Sequence, residues 1–305
     1  MSNESLTSEE SLAVNGKSFH WARRFLGARM GRDAARLYAF CRLLDDMADG
    51  DIENGPVRLR VIRDDLAAGR PGDDPALRDF LPLMAEKRFP AEVLVALIDG
   101  LLEDQAEIVA LADEAALLRY AYRVAGTVGL LMCDVLDCHT PAARAHAIDL
   151  GIAMQLTNIA RDVLEDAAMD RRYIPGDWVA GAAPADISDA AGQPGSGLHA
   201  DVTAAVARLL DMAETFYASG AQGYRYLPWR AHLSIAIAAR VYRQIGVQLR
   251  ATGCAWHKGR QVTGKLTKLR CSLLTLASLG SRFGTPARRH DEQLHLALRG
   301  LPYVA

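Results

Sequence analysis

Two short runs hold most of the residues that could do chemistry. The first is YAFCRLLDDMAD, Tyr38 to Asp49; the second is QLTNIARDVLED, Gln155 to Asp166. In the first, Tyr38, Arg42, Asp45 and Asp49 step by four, three and four. In the second, Gln155, Asn158, Asp162 and Asp166 step by three, four and four. Helical geometry stacks side chains at these intervals on one face. Oxygen donors stacked in this way suit hard divalent cations such as Mg²⁺, which keep positions open for phosphate oxygens. Bound metal would then act as a Lewis acid on a departing diphosphate. Arg42 and Arg161 lie within the two runs and Arg171 and Arg172 just after the second, and guanidinium forks hold phosphate bidentately. Either run alone also fits a blander reading, a solvated acidic face for the first and a buried polar network for the second.

Helices must position these residues, and helical periodicity dominates the chain. It predicts helices at 18–29, 32–49, 57–68, 75–86, 91–111, 114–137, 141–165, 200–225, 229–252 and 263–280, separated by Gly and Pro. No segment alternates convincingly as a strand. Residues 174–199, with Pro175, Pro184 and Pro194 and five glycines, read as a long irregular loop. Residues 1–16 read as a polar, disordered lead-in without a secretory leader, 17–290 as one catalytic domain, and 291–305 as a C-terminal tail. Gly126 and Gly129 are costly inside a helix, by about 1 kcal/mol each relative to Ala. Close helix packing or a bulky ligand lying against the helix would each account for them.

The chain has 305 residues, half of them hydrophobic, and a net charge of −2. Between Leu227 and His290 there is no acidic residue and there are twelve basic ones. An acidic body with a basic C-terminal region fits an anionic ligand or an anionic membrane surface. Nothing points to nucleic acid. Five cysteines at irregular spacing (41, 133, 138, 254, 271) suggest reduced core residues in a cytoplasmic protein, with no zinc motif. Uncharged stretches are about half the ~20 residues of a spanning helix. A peripheral position on the inner face of the membrane is compatible with this.

Together these residues resemble the head-to-head prenyl synthases, the family of phytoene, squalene and dehydrosqualene synthases. The likeness runs from about Lys17 to Lys268. It includes Ser18-Phe19, both acidic runs, Tyr120 with VAGTVG (Val124 to Gly129), RRYIP (Arg171 to Pro175), YRQIG (Tyr242 to Gly246), and the basic stretch around Arg260 and Lys265. The run from Tyr242 to Gly253, with Trp256 and Arg260, is most similar to bacterial phytoene synthases. The resemblance implies an all-α, single-domain class I isoprenoid synthase bundle with a central cavity.

It also implies a Mg²⁺-dependent prenyltransferase (Mn²⁺ as a substitute) that joins two geranylgeranyl diphosphates through a cyclopropylcarbinyl diphosphate to 15-cis-phytoene, opening carotenoid biosynthesis without NADPH. By position, Asp45, Asp49, Asn158, Asp162 and Asp166 would be metal-site residues, with Gln155 beside them. Ser18, Arg42, Arg161, Arg171, Tyr173, Arg260 and Lys265 would hold diphosphates. Tyr38, Phe19, Tyr120 and Tyr242 would face the carbocations, and Val124, Ala125 and Gly129 would line the chain path. A farnesyl-using 30-carbon enzyme is the nearest alternative, followed by a class I terpene cyclase and a non-catalytic helical homologue.

Overall fold

The computed structural model describes residues 22–260, 264–276, 279–280 and 289–304. Ser18 and Phe19 lie outside the described residues. Eleven α-helices are present among those described: α1 Ala28–Ala48, α2 Gly55–Ala67, α3 Pro75–Lys87, α4 Ala91–Glu103, α5 Glu114–Ala121, α6 Thr127–Val135, α7 Pro141–Ala167, α8 Pro184–Ala191, α9 Gly197–Gln222, α10 Trp229–Ala251 and α11 Lys265–Thr275. Their starts follow local chemistry. Asp74 accepts from the Ala76 amide at 2.9 Å and Asp113 from the Ala116 amide at 2.8 Å, capping α3 and α5. Pro56, Pro75, Pro141 and Pro184 occupy the first turns of their helices, where a missing N–H costs nothing.

The core is built around α7. Its 27 residues span roughly 40 Å. Ile148, Ile152, Leu156, Ile159 and Val163 are buried. One line is only half-buried: Ala147, Gly151, Gln155, Asn158, Asp162 and Asp166, with Met154, Arg161 and Glu165 alongside. A polar strip on an otherwise enclosed helix is the wall of an opening. Helix α9 packs along α7, and α6 and α10 flank it.

Several expectations are corrected. The break expected between helices 18–29 and 32–49 falls at Gly27, and α1 starts at Ala28. The expected helix 91–111 ends at Glu103, and Val109–Ala110 (β1) pairs in parallel with Arg171–Arg172 (β2). The expected helix 114–137 is interrupted by a π-turn, Tyr122–Gly126, which inserts an extra residue into the spiral. The irregular loop 174–199 contains a 3₁₀ turn, Gly176–Trp178, and all of α8, whose Ile187 and Ala190 are buried. Proline there begins a helix; it does not prevent one.

The glycines have a structural cause. A Cβ on Gly129 would stand 2.2 Å from the Ala147 carbonyl oxygen, and one on Gly151 2.3 Å from that of Ala125. The π-turn and α6 therefore cross α7 with backbones in contact. Close helix packing accounts for Gly129 by itself. Residues 291–304 do not trail away as a tail. Buried His295, Leu298 and Leu301 dock them on the body, and Arg119 donates to the carbonyls of Ala297 and Arg299 at 3.0 and 3.1 Å.

Candidate active site

The two acidic runs sit where sequence spacing placed them, near the C-terminal ends of α1 and α7. Arg42 binds Asp45 at 2.8 Å and Asp46 at 2.5 Å. Arg161 pairs with its neighbour Asp162, which also receives Arg260 Nε at 3.2 Å. Arg171 joins the two helices. Its Nη2 lies 3.0 Å from Asp49 Oδ1, and its charge also acts on Asp166.

Asp104, just past α4, was missed by the sequence reading. Its two oxygens accept from Tyr120 and Tyr173, each at 2.8 Å, and those rings stack at 4.7 Å. Nothing in its own neighbourhood, LLEDQ, marks it out, because its partners are 16 and 69 residues away. Asp104 is close enough to Asp45 and Asp166 to raise both. Carboxylates from α1, α4 and α7 thus share one electrostatic space.

That space carries an excess of negative charge. Burial, against the pull of Arg42, lifts the Asp45 carboxyl to about 6, with Asp49, Asp46 and Asp104 adding to the rise. Burial first, then Asp162, lifts Asp166 to about 8, with Arg171 opposing. Asp104 is raised by burial as well. Carboxylates driven toward protonation by burial and by neighbouring carboxylates gain from a cation. Two further oxygens, Asn158 Oδ1 and Glu165 Oε2, are buried without a hydrogen-bond partner. Orphaned buried acceptors are rare, and a cation satisfies them. Asn158 is otherwise oriented by Gln155, whose Oε1 accepts from its Nδ2 at 3.4 Å. The oxygen-only donor set fits Mg²⁺ or Mn²⁺.

Around the acids lie aromatic and apolar surfaces. Tyr38 and Tyr242 are half-buried and close enough to influence each other. Tyr242 also faces Arg161, Arg260 and Asp162. Burial pushes the Tyr38 hydroxyl up to about 12 and raises Tyr242, so both stay phenols. Along the π-turn and α6, Val124, Ala125, Val128, Gly129 and Met132 form a half-buried strip at helical spacing. Among the flanking arginines, Arg172 is a correction. It is buried and turned away, donating to the carbonyls of Leu111 at 2.9 Å and Ile174 at 2.6 Å. Lys265 opens α11, and its side chain lies outside the described ones.

The squalene/phytoene synthase family model matches residues 12–270. The chain belongs to the squalene/phytoene synthase family. It is 36% identical over 281 residues to a 15-cis-phytoene synthase of Paracoccus sp., covering 88% of this chain and 90% of that one. It is 34% identical over 321 residues to a 15-cis-phytoene synthase of Pantoea ananas, covering 99% and 100%. Among solved structures, a dehydrosqualene synthase crystallised with a ligand superposes with a TM-score of 0.77 at 26% identity, covering 90% of this chain and 95% of that one. The isoprenoid synthase helical fold of this family is therefore the fold of the chain.

Proposed function

We propose that the chain joins two geranylgeranyl diphosphates head to head to give 15-cis-phytoene. The observation that carries this reading is the convergence of the α1 and α7 carboxylates on one space, in a chain similar along most of its length to phytoene synthases. Asp45, Asp49, Asn158, Asp162 and Asp166 would hold Mg²⁺, which would supply Lewis acidity to the departing diphosphate.

The chain's own groups do the rest. Arg42, Arg161, Arg171 and Arg260, here paired with carboxylates, are the phosphate forks. Arg42 also retains a buried Nε without a hydrogen-bond partner. One diphosphate leaves C1 of the first substrate, and the C2–C3 double bond of the second attacks that carbon. Loss of a proton closes the cyclopropane. The second diphosphate then leaves, the skeleton rearranges to a C1–C1′ bond, and a proton departs to form the central double bond. Tyr38 and Tyr242 offer ring faces that attract the cations by about 0.5–2 kcal/mol each. Their protonated hydroxyls are poor nucleophiles and can pass protons to departing diphosphate. The apolar strip of Val124, Ala125, Val128 and Met132 keeps water from the cations.

Hydride capture, the alternative last step, would give a reduced product. Purified enzyme with geranylgeranyl diphosphate and Mg²⁺, without NADPH, should yield a 40-carbon hydrocarbon with an unsaturated central bond. The similarity to a dehydrosqualene synthase favours farnesyl diphosphate as the competing substrate. Faster turnover of farnesyl diphosphate, or a product requiring NADPH, would reject this assignment.

Among the described residues, no helix is long and apolar enough to cross a membrane. Helix α11 instead supports contact with a membrane surface. Leu266, Leu269, Leu273 and Leu276 are exposed and recur at steps of three, four and three, with Leu274 beside them. A groove of about 540 Å³ between α10 and α11 is lined by Leu266, Leu274 and Val247 with Arg240, Arg243 and Arg270. Tyr242 projects roughly 150° away around α10, so this groove is not the catalytic space. Exposed leucines beside arginines suit an anionic lipid interface. Binding to anionic vesicles should exceed binding to neutral ones, weaken with salt, and fall at least tenfold in Leu269→Glu/Leu273→Glu. Unchanged partitioning of that variant in a sedimentation assay would remove α11 from the contact.

A further inference from the structure

Far from the acidic runs, a second cluster brings together three histidines and an aspartate. Asp149 is completely buried on α7, nine residues before Asn158 and roughly 13 Å from it along the helix axis. Its Oδ2 lies 2.8 Å from His290 Nε2 and accepts from Ser219 Oγ at 2.5 Å, while Oδ1 lies 2.7 Å from His295 Nε2. Ser219 Oγ is also 3.2 Å from His146 Nδ1. One donor atom each from His146, Asp149 and His290 lies within 4.8 Å of the other two. His146 is buried and His290 half-buried, so the cluster is largely shielded from water.

We infer that His146, Asp149 and His290, with one water as the fourth ligand, form a site for a divalent metal of the zinc class, distinct from the oxygen-lined Mg²⁺ site. Imidazole with carboxylate selects zinc-like ions, whereas Mg²⁺ prefers oxygen donors alone. Two ligands about 2.0–2.1 Å from a tetrahedral ion stand roughly 3.3 Å apart. His290 and Asp149 stand 2.8 Å apart, and the His146 donor atom, within 4.8 Å of both, moves inward to close the set. Ser219 and His295 hold the Asp149 oxygens in place, as outer partners orient a ligating carboxylate. On binding, the ion takes the place of the hydrogen bond between His290 and Asp149. The ligands come from the first half of α7 and from the C-terminal segment, so the ion would staple that segment to the central helix. Ring contacts within the cluster, 5.3 Å between His146 and His290 and 4.4 Å between His290 and His295, keep it compact. The five cysteines take no part.

Full-length protein without a histidine tag, stripped by chelator, is titrated with Co²⁺ and then Zn²⁺. The expected result is one equivalent of Co²⁺ with the intense visible absorption of a four-coordinate ion, displaced by Zn²⁺, and a melting temperature that rises to saturation at one equivalent. His290→Ala should abolish the spectrum, and Ser219→Ala should weaken Zn²⁺ binding by about 10–100-fold. Asp162→Asn should retain it, which separates this site from the catalytic acids and leaves the proposed function untouched by a negative result. Should His290→Ala fold poorly, the wild-type spectrum decides alone. Weak six-coordinate absorption in the wild type, or Zn²⁺ affinity unchanged in a folded His290→Ala protein, would overturn the inference.

Discussion

Purified Asp45→Asn and Asp162→Asn should keep their helical circular dichroism and lose turnover by about 10²–10³-fold or more, the range seen when one preorganised electrostatic group is removed. Each change preserves shape and deletes one negative charge from a separate acidic face. Asp162 is the meeting point of Arg161 and Arg260. An amide there leaves two guanidiniums without their anion and weakens the grip on metal. Asp45 carries the same weight on α1, against Arg42. Asp46 is the control, because it shares Arg42 with Asp45 but stands off the stripe of Asp45 and Asp49. Asp46→Asn should lose less than tenfold. Near-normal turnover in Asp45→Asn or Asp162→Asn, measured with saturating Mg²⁺, would remove the two-cluster metal clamp.

The second large effect is on folding. Gly151→Val should destabilise the protein by roughly 3 kcal/mol or more, at the upper end of overpacking costs. A Cβ at 151 would meet the Ala125 carbonyl oxygen at 2.3 Å and its carbon at 2.6 Å, both backbone atoms that cannot rotate aside. The crossing of α7 with the π-turn must open, and α7 carries half of the catalytic acids. Gly197→Val is the comparison, since a Cβ at Gly197 meets nothing within 4 Å. Thermal melts of both variants test this. Equal melting temperatures would mean that the crossing is looser than its contacts imply.

Much of the helical framework was legible because its signals are local. Proline starts, aspartate caps and apolar stripes place α2, α3, α7 and α10 within about two residues, the usual ambiguity of helix ends. Helix α8 was not legible, since Pro184 and the flanking glycines look like loop composition. Its N-terminus is held by the Asp186 carboxylate accepting from the Ala183 amide at 2.8 Å. The acidic runs could be read because their members are neighbours along single helices. Asp104 could not, because its meaning comes from tyrosines on two other segments. The same holds for Asp149, whose histidine partners are 141 and 146 residues away. Gly129 was ambiguous for a related reason, because the cost of a helical glycine shows that something approaches without showing what.

The two-residue pairing of β1 with β2 sets a limit on which changes in chain length this protein can absorb. Side chains alternate along an extended backbone. Arg171 therefore reaches Asp49, Arg172 turns back to carbonyls, and Tyr173 returns to Asp104. A slip of one residue would exchange the faces. It would bring Arg172 toward the acids and turn Arg171 and Tyr173 away. The left-handed backbone at Asp170, φ 57°, fixes the step from α7 into β2. Single-residue insertions at 105–108 or 168–170 should thus be excluded among functional sequences. The connection between α8 and α9 carries no such phase, so length variation should accumulate there.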